Sequence, residues 1–166
     1  CIRDRNMSSW CPEEEIQTVL DEISDKLKMT ATYVDPNGKI LLKGGEYNPL
    51  CALIRAKEDA LKFICSLTSQ RMLKEVKKTG KPFIDYCELG LLRFVIPVFQ
   101  DGELIGAIAA CGTLDPAETV EIFFVAKQLD IEEEEAKDLT ETVTVADPDE
   151  VKILVDKIAN WVNQKT

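Results

Sequence analysis

Apolar residues recur along this chain in two different periods, and each period implies a type of element. After Pro12, with Glu13, Glu14 and Glu15 leading, Ile16, Val19, Leu20, Ile23 and Leu27 return every three or four positions. That spacing predicts a helix with acidic residues at the positive end of its dipole. Thr30 to Val34 and Lys39 to Leu42 flank Asp35-Pro36-Asn37-Gly38, which predicts a hairpin. Leu50 to Arg55 reads as one or two helical turns. Glu58 to Lys78 reads as a longer helix with Leu61, Ile64, Cys65, Thr68, Met72 and Val76 on one face, ended by Gly80 and Pro82. Phe83 to Cys87 is the next strand. Leu91 to Phe99 and Leu104 to Cys111 then flank Asp101-Gly102, a strong hairpin signal, and form the centre of the sheet. Asp115-Pro116-Ala117-Glu118 has the form of a helix cap, with the helix running to about Gln128. An acidic helix from Asp130 to Leu139 follows. Asp147-Pro148 repeats the capping pattern before Val151, Leu154, Val155, Ile158 and Val162, the stripe of a C-terminal helix. The order predicts an α+β domain of PAS or GAF type, a five-stranded antiparallel sheet with inserted helices and flanking N- and C-terminal helices.

Composition narrows the function. With 166 residues, 45% of them apolar, one domain with a full core is expected over 12–164, and 1–11 reads as a tail or linker. A formal charge of -10 opposes the field of a phosphate backbone or an anionic bilayer, so neither nucleic acid nor membrane is an expected partner. The expected setting is the cytoplasm. There is no histidine, which excludes Ser-His-Asp and Cys-His catalysis and removes the usual nitrogen ligand for zinc. No enzyme activity is expected. Six cysteines in a chain of this size read as reduced thiols rather than a disulfide framework.

Asn48-Pro49-Leu50-Cys51-Ala52-Leu53-Ile54-Arg55, then Cys65, then Gly80-Lys81-Pro82-Phe83-Ile84-Asp85-Tyr86-Cys87 resemble the PocR sensory domain in the order and spacing of three cysteines. Gly90-Leu91, the run from Ile96 to Ile108, Ala126 to Ile131 and the Val143-Thr144-Val145 step agree with it. The resemblance covers roughly Pro12 to Val162. It implies a PAS-variant input domain of prokaryotic signal transduction, sensing a small organic molecule such as a simple diol or another hydrocarbon derivative. The implied partner is an output domain: a histidine kinase, a transcription regulator or a cyclase. After Cys87 the family commonly has His-Ala-Gly-Leu, whereas this chain has Glu88-Leu89-Gly90-Leu91. A carboxylate from Glu88 would favour a hydroxyl-bearing or cationic ligand over an anion.

The cysteines leave several readings open. Taken singly, each is most simply a small hydrophobe of the core. Together, Cys51, Cys65 and Cys87, with Cys111 closing a central strand, can line a ligand cavity between sheet and helices. The alternative is a redox or metal sensor, holding zinc or an iron-sulfur cluster or forming a switchable disulfide, although no Cys-x-x-Cys pair is present. Cys51 near a helix N-terminus would have a lowered thiol pKa. Tyr33, Tyr86, Glu88, Arg55 and Arg93 complete the candidate ligand-binding set. No cofactor is required by the small-molecule reading, and homodimerisation through the terminal helices is compatible with every one of these readings.

Overall fold

The computed structural model describes residues 10–166. Its first helix, α1 (Glu13–Leu27), buries Ile16, Leu20, Ile23 and Leu27, the stripe that the spacing predicts. β1 (Thr30–Val34) and β2 (Ile40–Gly44) pair across a turn in which the Asp35 carboxylate accepts from the amides of Asn37 (2.8 Å) and Lys39 (3.0 Å). α2 (Pro49–Ala56) is capped by Asn48, whose side-chain oxygen accepts from the Cys51 amide at 2.8 Å. α3 is composite: Glu58–Ala60 is α-helical, Leu61–Ser66 is π-helical, and Leu67–Thr79 returns to α geometry. β3 (Phe83–Tyr86), β4 (Leu91–Gln100) and β5 (Glu103–Leu114) make a meander. α4 (Ile122–Leu129), α5 (Glu133–Glu141) and α6 (Pro148–Lys165) close the chain.

The sheet order is β2-β1-β5-β4-β3, with every neighbouring pair antiparallel. Because side chains alternate across a strand, the two faces have different cores. Ala31, Tyr33, Leu92, Phe94, Ile96, Val98, Ile108 and Ala110 face α1 and α6 in one large apolar cluster. Val34, Val95, Ala107 and Ala109 face the second half of α3 through Met72, Leu73 and Val76. A third cluster at the other end of that face joins Leu50 and Ile54 of α2, Ile64 of α3, Leu91, and Val125 and Leu129 of α4. Lys57 ties this end together by donating to the Leu129 carbonyl at the end of α4.

Three sequence expectations change. Trp10 and Cys11, placed in the tail, are buried in the α1/α6 core, and Trp10 Nε1 donates to the Tyr33 hydroxyl at 3.0 Å. The rest of that tail, 1–9, lies outside the described residues. The helix expected from Asp115 begins only at Ile122. The Asp115 carboxylate accepts from Ala117 N (2.9 Å) and from the Tyr86 hydroxyl (2.8 Å), which makes it the head of a turn and an anchor for β3 instead of a cap. The long helix from Glu58 is continuous in direction but carries the π-helical insertion, which apolar spacing does not reveal.

Candidate functional site

On the α3 face the strands do not meet α3 along their whole length. Arg93 of β4 pairs in register with Cys111 of β5, between Leu91 in one apolar cluster and Val95 in the other. The Leu92/Arg93 step is irregular because Gly112 bulges out of β5 at φ +109°, a conformation that favours glycine. The Gly112 carbonyl accepts from Asn48 Nδ2 at 2.9 Å, so one asparagine caps α2 and pins it to the bulge. The result is a cavity of about 210 Å³ between the sheet and the π-helical start of α3. Thr30, Thr32 and Val34 line it from β1, and Ala109, Ala110 and Cys111 from β5. Leu61, Cys65, Ser66, Ser69 and Gln70 line it from α3, and Tyr47, Arg55, Arg93, Ile40 and the Asn37-Gly38 turn complete the lining.

Two cations and no carboxylate are among these wall residues. Arg55, in the last turn of α2, sits over the Tyr47 ring with its guanidinium carbon 4.6 Å from the centroid, and Lys43 approaches the same ring at 4.8 Å. Arg93 is half-buried, and its Nε is buried without a hydrogen-bond partner. By register Asp85 of β3 is its cross-strand neighbour, but that carboxylate is bound to Arg71 of α3 at 2.5 Å. Neither Arg55 nor Arg93 forms an ion pair among the described residues.

All described cysteines are free thiols. Cys51, Cys65, Cys87 and Cys111 stand close enough to influence one another's ionisation. Burial raises the Cys65 thiol from an ordinary 9.0 to about 11, with nearby Cys111 and Cys87 adding to it and Arg55 and Arg93 partly offsetting it. Burial likewise raises Cys87, against hydrogen bonds from the Leu89 and Leu91 backbone. Cys51 is also raised, chiefly by burial, so the lowering expected from its helix N-terminal position does not occur. Among the described residues no three histidine, cysteine, aspartate or glutamate side chains are grouped so as to hold a metal ion. The arrangement therefore gives no support to zinc, iron-sulfur or redox chemistry at these thiols, and burial favours the protonated form of Cys51, Cys65 and Cys87.

The sequence candidates thus separate. Arg55, Arg93, Cys65 and Cys111 meet at the cavity. Cys51 and Cys87 pack behind it in the α2/α4 cluster. Tyr33 lies on the opposite face under Trp10, and Tyr86 packs on that same side while donating to Asp115. Glu88 is exposed in the turn after β3, away from the cavity wall, so the carboxylate that would have favoured a cationic ligand is absent from it. Tyr47, Ser66 and Ser69 were missed. Tyr47 stands in a loop without periodicity; Ser66 ends the π-helical turn and Ser69 stands one turn beyond it.

A family model described as the sensory domain found in PocR matches residues 11–164. The chain belongs to the PocR sensory domain family. No curated protein matches it significantly. Among solved structures it is similar to an IclR homolog from Microbacterium sp. strain HM58-2, at 13% identity over 84% of this chain and 68% of that one, with a TM-score of 0.38. An IclR homolog from Microbacterium hydrocarbonoxydans complexed with 4-hydroxybenzoate matches at 11% identity over 86% of this chain and 68% of that one, with a TM-score of 0.34. Among the described residues no helix is long and apolar enough to cross a membrane.

Proposed function

We propose that this PocR domain is a non-catalytic, small-molecule-sensing input module of a prokaryotic signal transduction protein, taking its ligand in the cavity between the β1-β5-β4 face and α3. The observation that carries this reading is the cavity itself. It lies where α3 leaves α geometry and where polar wall groups replace the apolar contacts found to either side. π-helical turns occur frequently at functional sites. At about 210 Å³ the space is below the roughly 300–1,000 Å³ of drug-sized pockets, which fits a small organic compound.

The route to an output domain runs through β4. Arg93 faces the cavity, while the neighbouring Leu92 and Phe94 face the cluster that contains α6. A ligand that draws β4 and α3 together changes what α6 packs on, and α6 is the element placed to hand the change to a kinase, a transcription regulator or a cyclase. Such a shift requires different affinities for the two states. The test is a thermal-shift screen of diols, alcohols and short acids on the wild-type chain and on Ser69→Phe, which fills the cavity from α3. At least one compound should raise the melting temperature of the wild type and leave Ser69→Phe unchanged. A screen in which nothing acts, or in which both proteins respond alike, would remove the cavity as the ligand site.

A further inference from the structure

The electrostatics of the cavity run against those of the molecule around it. The chain carries a formal charge of -10, yet among the described residues the cavity wall holds two arginines and no acid. A guanidinium cannot shed its charge, so a half-buried arginine without a counter-ion is costly and is normally paired. Arg93 has a carboxylate beside it in the register, Asp85, but that group is committed to Arg71, and the Arg93 Nε is left buried without an acceptor. Arg55 is held over the Tyr47 ring, its guanidinium carbon 4.6 Å from the centroid. Among the described residues it forms no ion pair.

We infer that the pocket is selective for a small carboxylate, whose oxygens accept from the Arg55 and Arg93 guanidinium groups while its hydrocarbon part lies against Val34, Leu61 and Ala109. This rests on the cavity being the ligand site. Planar guanidinium forks match a carboxylate in bidentate fashion. The apolar share of the wall favours an anion with a hydrocarbon body over bare phosphate, which has none to bury there. The bound carboxylate supplies the counter-ion that Arg93 lacks among the described residues, so the free protein carries a cost that binding relieves. An arginine kept for stability would show the opposite.

The experiment is calorimetric titration and thermal shift of the purified chain with acetate, propionate, butyrate, succinate and glutarate, against 1,2-propanediol, ethylammonium and inorganic phosphate at matched ionic strength. At least one carboxylate should bind and stabilise, with affinity falling as salt is raised. Arg93→Met and Arg55→Met should each weaken binding by about tenfold or more, and Arg93→Lys, which keeps charge without the fork, should weaken it less than Arg93→Met. Ligand-free Arg93→Met should melt no lower than the wild type. Should Arg93→Met fail to fold, the account of the arginine as a functional cost is overturned, and Arg55→Met still tests the ligand class. Binding of only the diol, the ammonium or phosphate, abolished by Ser69→Phe, would overturn the carboxylate and leave the cavity standing. No binding by any compound, or binding that survives Ser69→Phe, would overturn both.

Discussion

The two faces of the sheet use the same strands for different ends. Against α1 and α6, Tyr33, Phe94 and Ile108 are fully buried, and the one polar group among them, the Tyr33 hydroxyl, is satisfied by Trp10 at 3.0 Å. Gly106 is part of the same fit, since a Cβ there would stand 2.4 Å from the Tyr33 hydroxyl oxygen. Against α3 the cavity wall mixes apolar and polar side chains and holds two arginines that form no ion pair among the described residues. The α1/α6 face is packed throughout, with the Thr113 hydroxyl, beside Leu92 in register, buried on it without a partner; the α3 face is packed through Met72, Leu73 and Val76 at one end and through Ile64 and Leu91 at the other, and opens into the cavity between them. Departures from local pairing such as those of the two arginines are expected at functional sites.

The contrast breaks most visibly under substitution of the packed face. Phe94→Ala should cost about 3–5 kcal/mol of unfolding free energy, because a fully buried ring leaves a cavity. Gly106→Ala should follow closely, since Tyr33 has no room to retreat; urea unfolding measures both. Ser69→Phe on the opposite face should stay within about 1 kcal/mol of wild type, as expected for a half-buried position beside empty space. A comparable loss there would erase the distinction between the faces. Next in size, Tyr33→Phe should cost about 1 kcal/mol, leaving the Trp10 indole N–H without its acceptor.

Alkali gives a further test. The folded-state pKa values of Cys65 and Cys11 are both raised to about 11, chiefly by burial, from an ordinary 9.0. Below about pH 9 both folded and unfolded chains keep these protons. Between pH 9 and 11 the unfolded chain loses them first, so stability falls as pH rises through that window. The urea midpoint should therefore decline from pH 8.5 to about 10.5, and Cys65→Ala should flatten part of the decline. A midpoint independent of pH would contradict the burial of these thiols. The smallest effect belongs to the surface: Lys157→Ala, which breaks an exposed bridge of 2.9 Å to Glu22, should leave the urea midpoint close to that of the wild type.

Much of this architecture was legible because period and turn chemistry agree. The Asp101-Gly102 hairpin, with φ of 53° and 80°, and the α1 and α6 stripes follow directly from residue spacing. Asp115 misled because Asp-Pro heads a helix and a turn equally well, and only the Tyr86 hydroxyl decides between them. The site was half legible. Arg55, Arg93 and Cys65 could be named, yet neither the π-helical turn that ends at Ser66 nor the capture of Asp85 by Arg71 leaves a periodic signal. Glu88 and Arg93 lie five positions apart in sequence, and the turn at Gly90 sends them to different surroundings.

The most direct measurement is the NMR signal of the arginine Nε–H groups during titration with the carboxylate that binds best. The account predicts that Arg93 and Arg55 shift first and saturate together, with amide changes on β1, β5, β4 and α3 and the Trp10 indole signal last or least affected. Arginine signals that stay fixed at saturation, or changes that begin around Trp10 and Tyr33, would contradict it.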